Sequence, residues 1–544
     1  MEQLSLAVAT IIAAEYDVEA TPVFSRPEAQ FGDYSTNIAM QLAKQVGKNP
    51  RVIAEKLAEK LSETGEYEVI EVAGPGFLNI TLKPEALLVL TRKEPQPMRA
   101  GQSVVIETNN PNPFKAMHIG HAFNSIVADS LANLLAIDGA AVTRVSYHGD
   151  VGLHVGKSMY SLLRYADGDA EKIRTIPETE RNSFMSKMYA EGSAAYKNDD
   201  AAKAEIDILA QQSFTLNDPL YKEIYELCKN WSFEQIDALV ARLGNLPTKA
   251  RFLESLADPK GVETVKANTP AVFKESNGAY VFEGSKYGSF DNVFVGSNGR
   301  GLYAARDLGL MQLKQQLFNP DKSYIVTAEE QKDYFKGVIA AAELALPELR
   351  GVTANIPHGT VKLSTGKMSS RNGDVLEVSW LFDQFAEAIR AREGEPKDEI
   401  IAGALRYQFL KVKIGGDVVF DVNEAVSLTG NTGSYLQYAH ARARRILEKL
   451  DTVSIPSEVR AEDRALVRKL GEYHEIITLA KKSLEPHHIC NYLFELAQEF
   501  NRYYEKNQVV GNEHEVHRAG LVALYADTLR AGLMILGIVA PEKM

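Results

Sequence analysis

The residues best suited to chemistry lie in one short stretch, NPNPFKAMHIGHAFN. His118 and His121 stand three apart with Gly120 between them, and Lys115 precedes them by three. Two imidazoles can donate hydrogen bonds to phosphate oxygens as charge develops there, and a lysine adds a full charge. A helix beginning at His118 would bring the N–H groups of its first turn and the positive end of its dipole, which attract phosphate. Gly120 is expected to leave room for a flat ring or a phosphate against the backbone. A metal site or two surface histidines would use the same four residues. A second stretch, Ser364 to Val375, reads STGKMSSRNGDV. Lys367 and Arg371 there carry charge suited to a triphosphate, and Gly366 and Gly373 permit hinge motion. Taken alone it is equally a basic loop between a strand and a helix.

Positioning such groups needs a frame, and the pattern around them supplies one. Val104 to Ile106, closed by Glu107, reads as a short buried strand. Asn109 to Pro113 forbid regular structure. From His118 to about Leu135 the apolar face Ile126, Val127, Leu131, Leu134 and Leu135 predicts a helix, and Ala141 to Tyr147 a second strand. Strand, loop, helix, strand is the βαβ unit of a parallel sheet. Strands return from Ala279, after a charged helical stretch over about 156–275 that reads as an insertion packed on Trp231, Phe233 and Ile236. Tyr303 and Asp307 are four apart, so on a helix they share a face. Gln331 falls just after the strand SYIVTA, where open α/β sheets bind ligands. His148, Asp150 and His154 follow the second strand and suit a loop lining the cleft better than a metal, with no cysteine nearby.

The flanks differ. Residues 1–98 predict a small α+β domain, with helices over Leu4–Tyr16, Thr36–Val46 and Pro50–Leu61 and strands over Tyr67–Val72 and Phe77–Leu82. Phe77, Asn79 and Phe31 to Tyr34 could face a nucleotide or simply fill core and turns. Beyond about 380 the pattern is helical and predicts a bundle. Tyr435 and Tyr438 beside Arg442, Arg444 and Arg445 suit stacking on unpaired bases, or a solvated helix face. The fold class is therefore α/β: a Rossmann-type parallel sheet over 99–385, a small α+β N-terminal domain over 1–98 and an all-α C-terminal bundle over 386–544.

Composition bounds the rest. With 544 residues, 45% hydrophobic and 24% charged, the chain predicts about three domains of an ordinary globular protein. A net charge of −12 argues against non-specific nucleic-acid binding over the whole surface and leaves local basic patches open. Cys228 and Cys490 alone cannot form a four-ligand zinc site and suit a reducing compartment. The start lacks a basic n-region, and no stretch is apolar enough to span a bilayer.

The HIGH quartet after a strand and before a helix resembles the signature of class I aminoacyl-tRNA synthetases and related nucleotidylyltransferases, and KMSS at 367–370 resembles their KMSKS loop. IETNNPNPFKAMHIGH, GLYAARDLG, EEQKDYF, KMSSRNG, YLQYAHARARRIL, the C-terminal ALYADTLRAGLMILGIVAPEKM and the N-terminal FGDYSTNIAMQLAK and AGPGFLNITL together resemble the arginyl-tRNA synthetases over nearly the whole chain. The resemblance implies a ligase that activates L-arginine with ATP and transfers it to tRNA(Arg), releasing AMP and pyrophosphate, with tRNA required even for activation. It implies Mg²⁺ with the phosphates, no metal held by the protein, no membrane, a monomer and a cytoplasmic location.

Carried over by position, Glu107, Asn112, Tyr303, Asp307 and Gln331 correspond to the arginine pocket. His118, Gly120, His121, Lys367, Met368 and Ser369 correspond to the ATP site, with His118, His121, Lys115 and Lys367 as its catalytic clamp. Phe77 and Asn79 fall in the segment contacting the tRNA elbow, and Tyr438, Arg442 and Met544 in the anticodon-contacting region. A guanidinium is a rigid fork of five donors that pairs with planar carboxylates, so two acids at sheet ends fit; which of Glu107 and Asp307 would take it, and which the ammonium, stays open. Many members of the family lack the second-motif lysine and carry one before HIGH; this chain has both Lys115 and Lys367, so the main charge on the triphosphate is assigned to neither. A synthetase for lysine, a small-molecule nucleotidylyltransferase and a non-catalytic RNA-binding relative are the alternatives. The long helical C-terminal part speaks against the second, and intact His118, His121 and Lys367 against the third.

Overall fold

The computed structural model describes residues 2–364, 376–450 and 452–544. The chain divides into two compact units, one formed by 1–95, 442–477 and 494–529, the other by 96–441, 478–493 and 530–544.

The larger unit is built on a five-stranded sheet of parallel strands, in the order Thr353–His358, Lys322–Ala328, Ser103–Asn109, Ala141–His148, Ala250–Leu253. Numbered along the chain this is 5-4-1-2-3, so the order reverses between Ser103–Asn109 and Lys322–Ala328. That switch point opens a crevice beyond the carboxyl ends of the strands. Val104, Val105 and Ile106 are buried, as their apolar run requires. The pairing of the first two strands slips between Glu107 and Asn109, an irregularity that ends the ladder and releases the Asn-Pro loop.

The helix after that loop is Ile119–Ile137, whose buried face includes Ile126, Val127, Leu131, Leu134 and Leu135. The helical insertion ends earlier than its charged composition predicts. Ala250–Leu253 is already the edge strand of the sheet, paired with Val145 to His148, and four residues between Lys249 and Glu254 are too few to register as a strand. The insertion's own core gathers Met159, Leu162, Ile224, Tyr225 and Trp231. The strands Ala279–Phe282 and Asn292–Val295 form a separate antiparallel sheet with Lys274–Ser276.

The smaller unit carries the predicted N-terminal helices and a three-stranded antiparallel sheet with Phe77–Leu82 in the middle. Helical segments from the C-terminal part belong to it: Arg464 and Arg468 pair with buried Asp33, and Arg26 with Glu475. Amphipathic stripes announce that these helices are buried, not which neighbour buries them. Among the described residues no helix is long and apolar enough to cross a membrane.

Candidate active site

The His118–His121 segment is tied down before any ligand is considered. His118 caps the helix: its Nδ1 accepts from the backbone N–H of Gly120 at 3.1 Å and of His121 at 3.4 Å. His121 Nδ1 accepts in return from the N–H of His118 at 3.3 Å. The two rings stack with centroids 3.6 Å apart. A neutral imidazole whose Nδ1 accepts carries its proton on Nε2, so both rings present Nε2–H donors. Burial, then the charge of Lys115, lowers His118 to about 4, and burial holds His121 well below its ordinary value, so both are neutral near pH 7.

Two expectations change here. The N–H groups of the first turn are not free, because Ile119 donates to Leu376 and Gly120 and His121 donate to His118. The space at Gly120 is taken by the His118 ring, whose Cε1 would lie 3.0 Å from an added Cβ. The helix end is therefore capped, and side chains rather than backbone amides are left to meet an anion.

The loop before the helix is equally constrained. Phe114 is buried with φ +65°, a conformation that an L side chain rarely takes. Its N–H donates to Ser232 Oγ at 3.0 Å, and its carbonyl accepts from Ser158 Oγ at 2.9 Å. Lys115 follows directly. Burial and the like charge of Lys157 lower its pKa, and among the described residues it pairs with no carboxylate. Leu376 to Val378 hydrogen-bond to Met117 and Ile119, so the chain leaving the second motif is fastened to the first. Lys367, Met368 and Ser369 lie outside the described residues.

Beside this segment, at the switch point, is a cavity of about 420 Å³. Glu107, Asn112, Tyr303, Asp307 and Gln331, drawn from three separate stretches of sequence, all line it. Asn110, Tyr147, Gly149, Glu254, Thr327 and Tyr334 complete much of the wall. Three acids therefore face one space, and they are not equivalent. Glu107 pairs with buried Lys314 at 2.7 Å. Glu254 pairs with Arg306 at 2.8 Å, and Asp258 holds the same guanidinium at 3.2 Å. Among the described residues Asp307 has no cation at salt-bridge distance; it accepts from the Tyr334 hydroxyl at 2.5 Å. Burial, reinforced by Glu107 and Glu254, pushes Asp307 up to about 7 against the opposing pull of Tyr334 and Lys314.

The remaining wall residues play different parts. Asn112 lends its Oδ1 to the backbone N–H of Gly149 at 2.9 Å, holding the two strand-end loops together. A Cβ at Gly149 would lie 3.1 Å from both that Oδ1 and Glu254 Oε1, so a larger residue would have to push them back by a few tenths of an ångström. Tyr303 is 70% exposed and Gln331 is also exposed. His148, Asp150 and His154 are structural: His148 meets the Pro111 carbonyl, Asp150 holds Ser255 and Tyr225, and His154 meets the Gly149 carbonyl. Glu254, Tyr147, Tyr334 and Lys314 escaped the sequence reading. The sole signal for Lys314 was its seven-residue spacing from Asp307 on one helix.

The positions expected to meet tRNA differ in exposure. Phe77 is 40% exposed, whereas Asn79 is 7% exposed and its Oδ1 accepts from Ser35 Oγ at 2.6 Å. Asn79 thus fits the core reading rather than a contact. Tyr438 and Met544 line one cavity of about 260 Å³ with Arg392 and Lys397. Arg442 is exposed and lies over the Tyr504 ring at 4.9 Å.

Three family models match the chain. Residues 2–82 match the arginyl tRNA synthetase N-terminal domain, 84–415 the catalytic domain of the class I (R) tRNA synthetases, and 436–544 the DALR anticodon binding domain. An arginine--tRNA ligase of Thermobifida fusca is 29% identical over 95% of this chain and 94% of its own. One of Clostridium acetobutylicum is 28% identical over 100% and 99%. The arginyl-tRNA synthetase of Thermus thermophilus superposes with a TM-score of 0.82 at 25% identity, covering 100% of both chains. The catalytic-domain model alone spans more than half the chain, and the fold and the parallel sheet agree with it: the chain belongs to the class I arginyl-tRNA synthetases.

Proposed function

We propose that the switch-point cavity binds L-arginine and that the His118–His121 segment, with Lys115 and Lys367, binds the phosphates of ATP. The reaction is that of the family: arginine and ATP give arginyl-adenylate and pyrophosphate, and the arginyl group passes to tRNA(Arg) with release of AMP. The observation that carries the assignment is the cavity with three acids of which, among the described residues, Asp307 alone lacks a cation. In this reading Asp307 takes the guanidinium. Glu107, held by Lys314, keeps one oxygen for the substrate ammonium. This orders the two acids that the sequence left interchangeable.

Activation then needs no covalent help from the protein. The arginine carboxylate attacks the α-phosphorus, the bond to the pyrophosphate oxygen breaks, and negative charge moves onto that leaving group. Nε2–H of His118 and His121 and the charge of Lys115 meet phosphate oxygens, which is positioning and electrostatic stabilisation. Mg²⁺, expected with the phosphates, would arrive on the nucleotide's own oxygens and water. Attack by a terminal ribose hydroxyl of tRNA completes the cycle. Phe77, Tyr438, Arg442 and Met544 are our candidates for tRNA contact. One copy holds every candidate residue of the cavity, consistent with a monomer, and the buried free thiols Cys228 and Cys490 suit the reducing cytoplasm.

Aminoacylation of unfractionated tRNA with each amino acid in turn tests the reading. Arginine alone should be charged. Charging of lysine at a comparable rate would refute the assignment of Asp307 to a guanidinium.

A further inference from the structure

Tyr147 sits at the end of the Ala141–His148 strand, one strand across from Glu107, and lines the same cavity. Its hydroxyl is buried and, among the described residues, has no hydrogen-bond partner. A buried polar atom left unpaired is uncommon in a folded protein and asks for a cause. The other cavity tyrosines differ: Tyr334 donates to Asp307, and Tyr303 is largely exposed. Burial, then Asp307, Glu254 and Glu107, raise the Tyr147 phenol well above its ordinary value, so it is neutral and lies within reach of all three acids' fields.

The acceptor count in the cavity gives this hydroxyl a task. Arginine's guanidinium carries five N–H donors, a lysine ammonium three. One oxygen of each acid is already engaged: Glu107 Oε1 by Lys314, Glu254 Oε2 by Arg306 and Asp307 Oδ2 by Tyr334. A fork of five donors needs a further acceptor that a three-donor cation can do without. We propose that Tyr147 is a further specificity-determining residue of the arginine site, its phenol oxygen accepting one guanidinium N–H. This rests on the reading of the cavity as the arginine pocket.

Tyr147→Phe removes the acceptor and keeps the ring. With the full chain, tRNA and ATP, the KM for arginine should rise about tenfold, the loss expected of one hydrogen bond to a charged group, while the KM for ATP stays within about twofold. Agmatine, which keeps the guanidinium and lacks the carboxylate, should lose inhibitory strength in parallel. An arginine KM within about twofold of the parent overturns the proposal. So does a raised arginine KM with unchanged inhibition by agmatine, which would place the phenol at the amino-acid end. Asp307→Ala separates the two levels: if it raises the arginine KM and Tyr147→Phe does not, only the role of Tyr147 falls. If neither does, the cavity reading falls with it.

Discussion

The acid without a cation makes arginine binding depend on pH in a way that can be calculated. Asp307 holds its proton until about pH 7 because burial strips water from its carboxylate and Glu107 and Glu254 face it, partly offset by Tyr334 and Lys314. Only the ionised form pairs with a guanidinium. The ionised share of the empty cavity is therefore roughly nine-tenths at pH 8, half at pH 7 and one-tenth at pH 6, and apparent affinity scales with that share. The arginine KM should rise about tenfold between pH 8 and pH 6, and about tenfold more per further unit. Pyrophosphate exchange at saturating ATP and tRNA measures it, and calorimetric titration in buffers of different ionisation enthalpy should show about half a proton released per arginine at pH 7. Asp307→Asn should bind arginine about 30-fold or more weaker, the cost of leaving one partner of a charge pair unmatched, with no pH dependence in this window. The same shift bears on stability. A carboxylate raised in the folded state binds its proton more tightly there than when unfolded, so stability falls as pH rises from about 4 toward 7. Asp307→Asn should thus melt above the parent at about pH 8, with the gap closing toward pH 4. An arginine KM that stays flat from pH 8 to pH 6 in the parent would refute the role given to Asp307.

Three other perturbations separate the parts of the site. Gly120→Ala places a Cβ 3.0 Å from His118 Cε1, so exchange should slow roughly tenfold while the arginine KM holds; an unchanged rate would mean that the ring position does not matter. Lys367→Ala and Lys115→Ala should each slow activation more than they weaken arginine binding, and single-turnover exchange with tRNA decides which carries the triphosphate: an unchanged rate in one moves the role to the other. Phe77→Ala should raise the KM for tRNA a few-fold at unchanged melting temperature, whereas Asn79→Ala should lower stability by about 1–3 kcal/mol through the lost partner of Ser35 and leave tRNA affinity alone; the reverse pattern would exchange their roles.

Much of the frame was legible because its signals are local. Pro50 at a helix start, the short strand-like run from Tyr67 to Val72 and the apolar face from Ile126 to Leu135 each depend on neighbours in sequence, and each element is present. The edge strand Ala250–Leu253 was not legible, since four residues beside long helices carry no periodicity of their own. Nor was the grouping of residues 442–477 with the N-terminal domain, which rests on pairs such as Arg464 with Asp33, hundreds of residues apart.

The cavity divides the same way. Glu107, Asn112, Tyr303, Asp307 and Gln331 came from motif positions, and they converge. The charge balance that distinguishes them is written elsewhere, in Lys314, Arg306 and Tyr334, none of which belongs to a motif chosen for chemistry. Lys314 pairs with Glu107 and Arg306 is shared by Glu254 and Asp258, so two of the three cavity acids have an internal cation at hand and, among the described residues, Asp307 has none. Arginine in its zwitterionic form carries one net positive charge. A cavity left with three unpaired acids would repel its own carboxylates into protonation, and one with none would give a cation no reason to enter. Selectivity for a singly charged, five-donor substrate thus follows from which acids the fold has already paired, a property that no list of cavity residues contains.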